Sequence, residues 1–138
     1  MLKEELARLA EHFPVRYLIL FGSAAEGRLR IDSDVDVAVK TGLSDPKERF
    51  DVRVKLASRL EGVFSRRVDV VILEDAPVDL AYEVFRKGLL VYCRDYEEYL
   101  IDKTKALMMY LDFSFVLATY WRRSLEVYGV EVRSSEEA

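Results

Sequence analysis

Three short apolar runs, VRYLILF (15–21), DVDVAVK (34–40) and VDVVIL (68–73), are separated by longer stretches of helical spacing. Runs this short and rich in β-branched residues make strands, and strands alternating with helices pack as layers. VRYLILF is nearly all apolar and reads as a buried strand. DVDVAVK alternates strictly, placing Val35, Val37 and Val39 on one face and Asp34 and Asp36 on the other. A fourth strand is expected over Leu89–Tyr92, after Gly88.

Helices fill the intervals. Leu2–Phe13 places Leu2, Leu6, Leu9, Ala10 and Phe13 on one face, and Pro14 stops it. Ala24–Ile31 reads as a helical turn and loop. Pro46–Leu60 is amphipathic, with Phe50, Val54, Leu56 and Ala57 as its expected core face. Asp75 and Pro77 open a helix through Arg86, which Gly88 closes. From Asp95 to about Tyr128 the pattern is helical without Pro or Gly. The expected order is α-β-α-β-α-β-α-β-α, an α/β sandwich with helices packed on a small sheet.

The last helix is unusual. Ala106–Trp121 holds 13 apolar residues in 16. Asp112 at its centre, and a length below the ~20 residues a bilayer needs, argue against a membrane span. A helix apolar on every side must be buried on every side. A domain of this size covers one side, so the other calls for a partner, either a second copy or a different protein. Met108 and Met109 belong to core or interface.

Composition narrows the function. The chain has 138 residues, enough for one domain and a short appendage. Its net charge of −4 gives no reason to expect a nucleic-acid binder. One cysteine, Cys93, excludes a disulfide framework and reads as a packed, inert thiol. One histidine, His12, excludes most His-ligated metal sites and is expected at the surface. The start, MLKEELARLAEHF, is charged and amphipathic and does not read as a secretory leader, so the expected setting is the cytoplasm. Asn and Gln are absent, and Arg outnumbers Lys 14 to 7. That pattern fits a thermophilic source; a GC-rich genome would also favour Arg over Lys.

The chemistry concentrates in Gly22-Ser23, ten residues, then Asp34-Val35-Asp36. Gly22 permits a sharp turn and a close approach to a phosphate. Ser23 opens a helical turn whose amides and hydroxyl can cradle an anion. Asp34 and Asp36 project from one strand face and suit Mg²⁺. Asp69 is a charge within an apolar strand. If that strand lies beside 34–40, it adds a third carboxylate, the requirement for two-metal, in-line nucleotidyl transfer. Asp69 could also take the proton of the attacking hydroxyl. The three carboxylates are expected within about 4–8 Å of one another. Taken alone, Gly22-Ser23 reads as a plain strand-to-helix turn, Asp34 and Asp36 as a solvated strand face, and Asp69 equally as an ion pair or a ligand. It is their joint spacing that favours a site. Lys40 either reaches a phosphate or is a strand-end surface lysine.

LFGSAAEGRLRIDSDVDVAV resembles the signature of the polymerase-β-type nucleotidyltransferases, and the short length resembles the minimal nucleotidyltransferases, the MNT antitoxins paired with HEPN toxins. The resemblance covers about residues 1–93, including Asp69 within RVDVVIL and the helix-Gly-strand AYEVFRKGLLVY. It implies an α+β fold of the polymerase-β type: a small mixed sheet flanked by helices, with a long C-terminal helix. The implied domains are 1–93 for nucleotidyl transfer and 94–138 as a helical extension for packing and partner contact. The implied metal and catalytic residues are Asp34, Asp36 and Asp69; Gly22, Ser23, Arg28 and Lys40 would bind nucleotide. Glu26 departs from the pattern, standing where the family often carries a basic residue; Arg28 and Arg30 would offset its charge.

The implied activity is Mg²⁺-dependent transfer of AMP from ATP to a hydroxyl, with two ions per site. The implied acceptor is a tyrosine of a HEPN-type toxin, bound through the 95–128 helix, which could equally join two copies. The residues themselves support nucleotidyl transfer to a hydroxyl without naming it. A small-molecule nucleotidyltransferase and a non-catalytic toxin-binding module are the other readings. The 45 residues after Cys93 leave room for one long helix, which disfavours the former.

Overall fold

The computed structural model describes residues 2–27 and 34–129. In chain order the helices are α1 (Leu2–Glu11), α2 (Pro46–Phe64), α3 (Val78–Lys87) and α4 (Tyr96–Val127). The strands are β1 (Tyr17–Phe21), β2 (Val35–Lys40), β3 (Val68–Ile72) and β4 (Leu89–Cys93). Short 3₁₀ turns cover Gly22–Ala24 and Leu73–Asp75. The strand order is β3-β2-β1-β4. β1 is antiparallel to β2 and β4, while β2 and β3 are parallel, so the sheet is mixed as expected.

Three layers result from strand alternation. Val35, Val37 and Val39 face one way with Leu18, Val68, Val70 and Ile72, under Leu6 and Ala10 of α1 and Leu56 and Leu60 of α2. On the other face, Tyr17, Ile19 and Ala38 pack against Val84 and Phe85 of α3 and Tyr99 of α4. Gly88 lies where α3 meets β1; a Cβ there would collide with Ile19 and the Val84 carbonyl, so this crossing admits only glycine.

Two sequence expectations shift. Val15 is left out of β1 because its amide donates to the Phe13 carbonyl in the turn after α1, while Arg16 already bonds to Lys40 and Arg94 and the regular strand runs from Tyr17. In α2 the buried stripe is Val52, Leu56 and Leu60, while Phe50 and Val54 stay 64% and 52% exposed. The helix runs on to Phe64, and its extra turn adds Val63 and Phe64 to the core side. Asp45 caps α2 by accepting from the Lys47 amide at 3.0 Å. The loop before it is clamped: Glu74 accepts from the Thr41 hydroxyl at 2.6 Å and the Gly42 amide at 2.7 Å.

α4 is tied to the sheet at its start. Asp95 caps it by accepting from the Glu97 amide at 3.1 Å. Arg16 donates to Glu98 at 2.6 Å, and the buried Tyr17 hydroxyl donates to Asp102 at 2.7 Å. Burial, then the Asp102 hydrogen bond, holds the Tyr17 phenol far above its ordinary range, so it stays protonated. Tyr82 of α3 stacks on Tyr110 of α4 with ring centroids 3.8 Å apart. Beyond Tyr110 the helix leaves the body of the fold. Phe115 is 74% exposed and Trp121 57%, and Met108, Met109, Leu111, Val116 and Tyr120 are exposed as well. Among the described residues no helix is long and apolar enough to cross a membrane.

Candidate active site

The sheet itself builds the site. Phe21 pairs with Asp36 across β1 and β2, so the chain leaves β1 directly beside the Asp36 carboxylate. Gly22 makes that exit with φ +72°, a left-handed conformation natural to glycine. A Cβ on Gly22 would collide with the Asp36 carboxylate. Glycine is thus required twice, by conformation and by the neighbouring acid. The Gly22–Ala24 turn follows, with Ser23 half-buried and no side-chain cap at the turn's start.

Gly22→Ala is therefore expected to destabilise the chain and displace Asp36 together. A cost of about 1–3 kcal/mol is typical of a strained backbone position. Thermal melts would show the loss, and nucleotide binding would weaken beyond what the stability change explains. A variant as stable and as tightly binding as the parent would contradict the close approach.

Asp69 lies on β3 in direct register with Asp36. Register neighbours in a parallel pair sit on one face with strands about 4.8 Å apart. Asp69 therefore stands on the Asp36 face, as the mechanism requires. Asp34, just before β2, is exposed on the same side. Burial, then the charges of Asp69 and Asp34, pushes the Asp36 carboxyl above its ordinary value. Among the described residues no three His, Cys, Asp or Glu side chains stand in a preassembled metal cluster. The expected gathering of all three acids into one such group is therefore not formed here: Asp36 and Asp69 stand in register, and Asp34 acts on Asp36 through its charge. Their hard oxygen donors and summed negative charge fit Mg²⁺ in chemistry.

The other expected residues divide. Lys40 ends β2, about 13 Å along the strand from Asp36. It pairs with Asp102 at 3.4 Å and lines a separate cavity of about 290 Å³ with Tyr17 and Lys105. The structure does not bring it to the acids, because four residues of strand rise separate them. Arg28 and Arg30 lie outside the described residues. Glu26 is exposed and already engaged in an interaction. His12 is exposed. Cys93 is partly covered, and burial pushes its thiol up, as suits a packed group.

One residue at the site escaped sequence reasoning. Arg53 of α2 reaches Asp69 at 3.9 Å, with both side chains about half exposed. Nothing in the local pattern around Arg53 marks it; the contact arises because α2 packs along the edge strand β3.

Residues 4–97 match the family described as Polymerase beta, Nucleotidyltransferase. That match spans more than half of the chain, which therefore belongs to this nucleotidyltransferase family. Solved structures share the fold. A toxin–antitoxin crystallised with AMP-PNP superposes with TM-score 0.73 at 22% identity, over 89% of this chain and 98% of that one. A toxin–antitoxin described as MntA–HepT gives 0.65 at 21%, over 90% and 97%. A Shewanella oneidensis complex of tri-AMPylated HEPN toxin with MNT antitoxin gives 0.65 at 21%, over 90% and 96%. At these identities the likeness is one of fold. No curated protein sequence matches.

Proposed function

We propose that this chain is an antitoxin-type nucleotidyltransferase that moves AMP from ATP to a tyrosine hydroxyl on a HEPN-type partner, with Mg²⁺ as cofactor. The observation that carries the reading is the Gly22–Ser23 turn set against Asp36, with Asp69 in register beside it. The partner class follows from the proteins of shared fold, which are described as MNT or MntA antitoxins with HEPN or HepT toxins. The setting we propose is the cytoplasm, where ATP is at hand.

Each residue has a part. Asp34, Asp36 and Asp69 would hold the metal. Magnesium, when bound, supplies the positive charge that offsets the triphosphate and lowers the pKa of the acceptor hydroxyl. The Gly22–Ser23 turn binds phosphate oxygens through backbone amides and the Ser23 hydroxyl. The acceptor oxygen bonds to the α-phosphorus, the bond to the β-phosphate bridging oxygen breaks, and pyrophosphate leaves. Asp69 takes the hydroxyl proton. In this division residues 1–93 perform transfer and 94–138 make partner contact through α4.

The test is intact-mass measurement after incubation with Mg·ATP and a HEPN-type partner. Whole adenylyl units added to a partner tyrosine, lost on chelation of the metal, are the expected result. No addition, or addition indifferent to chelation, would overturn the reading. Ser23→Ala is expected to weaken ATP binding. Loss of one hydrogen bond to a charged group is worth about 1.5–3 kcal/mol, or roughly tenfold to a hundredfold in affinity. Calorimetric titration of Mg·ATP checks this; unchanged affinity would remove the phosphate role of the turn.

A further inference from the structure

A groove near Asp69 is left unused by the chemistry so far. β3 carries Asp69 and Val71 on one face, two residues and about 6.6 Å apart. A cavity of about 390 Å³ lies beside Val71 between the first half of α2 and the start of α3, with Arg53 and Asp75 as its charged lining. Val71 forms its floor, and Phe50, Pro77 and Leu80 form its walls. Arg53 stands at the end nearest Asp69, 3.9 Å from that carboxylate. Phe50 is 64% exposed although α2 buries a different stripe, so the fold does not account for this ring.

We propose that this groove is the acceptor subsite, and that it seats the aromatic ring of a tyrosine from the partner protein. The inference rests on the transfer reading above and adds the part of the chain that chooses the acceptor. A phenol ring over Val71, between Phe50 and Leu80, meets apolar surface on both faces. Its hydroxyl then points along β3 to Asp69, since the two-residue rise from Val71 to Asp69 is about the length of the side chain. The phenol oxygen attacks the α-phosphorus, pyrophosphate leaves, and the phenolic proton passes to Asp69. A serine or threonine is too short to reach the acid from the groove. The groove therefore favours tyrosine over the shorter hydroxyl side chains by reach and by the apolar surface of Phe50, Val71 and Leu80.

Steady-state transfer to the HEPN-type partner with the full chain tests this. Phe50→Ser, at an exposed position, is expected to raise the acceptor KM about tenfold or more. The kcat and the KM for ATP stay unchanged, and Leu80→Thr acts in the same direction. Unchanged acceptor KM in both variants, with transfer intact, would overturn the subsite. If the unmutated chain transfers nothing, the transfer reading fails and the groove is judged by binding alone. N-acetyltyrosinamide should then shift the Val71 and Leu80 amide resonances while N-acetylserinamide does not. Equal shifts from both probes, or none, would overturn it.

Discussion

Asp36→Ala is expected to cut adenylyl transfer by roughly 10³-fold or more while leaving a folded chain. The metal's charge is worth several kcal/mol in the transition state, and each 1.36 kcal/mol is tenfold in rate. In the proposed site Asp36 would be the ligand between the other two acids and against the Gly22–Ser23 turn, so its loss would empty the centre of the set. The fold should not suffer. Burial and the charges of Asp69 and Asp34 raise the Asp36 carboxyl above its unfolded value. Ionised Asp36 is therefore disfavoured by folding, a cost fully present above the folded pKa and lost as pH falls through it towards the unfolded one. Removing the carboxylate should hold or raise metal-free stability at neutral pH, with the advantage shrinking on acidification. Thermal melts at neutral and acidic pH, beside transfer rates, check both halves. Loss of soluble protein would make Asp36 structural and withdraw support from its catalytic role.

The second large effect lies on α4. Its outer half exposes Phe115, Tyr120 and Trp121, residue types that anchor interface cores. Such anchors cost about 2–4 kcal/mol when truncated, so Trp121→Glu should weaken partner binding roughly thirtyfold or more. Without its partner the chain should self-associate through the same surface, since soluble monomers rarely leave so large a patch uncovered. Light scattering should give a dimer or larger for the parent and a folded monomer for Phe115→Glu or Trp121→Glu. Circular dichroism should be unchanged, because α4 meets the sheet at Glu98 and Asp102, far from these positions. A parent chain that is monomeric at micromolar concentration would show that the exposed helix needs no partner.

Much of this was legible from short-range pattern. The strict alternation of DVDVAVK fixed both the strand and the face on which its acids stand, and Asp69 stood out as a charge in an apolar run. What escaped depends on long-range packing. Phe50 reads as core because Val54 and Ala57 share its face; which stripe meets the sheet is decided by how α2 packs, and that stripe is Val52, Leu56 and Leu60 with Val63 and Phe64 beside it. Lys40 looked close to the site because it shares a strand with Asp36. Its pairing with Asp102, across 62 residues of sequence, could not be foreseen. Arg53 had no signal at all, since its contact with Asp69 depends on how α2 lies along β3.

α4 is a cantilever. Its root is pinned by Arg16–Glu98, Tyr17–Asp102 and the Tyr82–Tyr110 stack, and its outer half is exposed. From Tyr110 to Val127 the arm is about 26 Å long, so a tilt of about 10° at the root sweeps the tip by about 4–5 Å. A protein gripping the tip alone would therefore arrive at Asp69 with that much play, far more than bond formation allows. Only a partner seated at both places, tip and catalytic face, turns a swinging arm into a ruler.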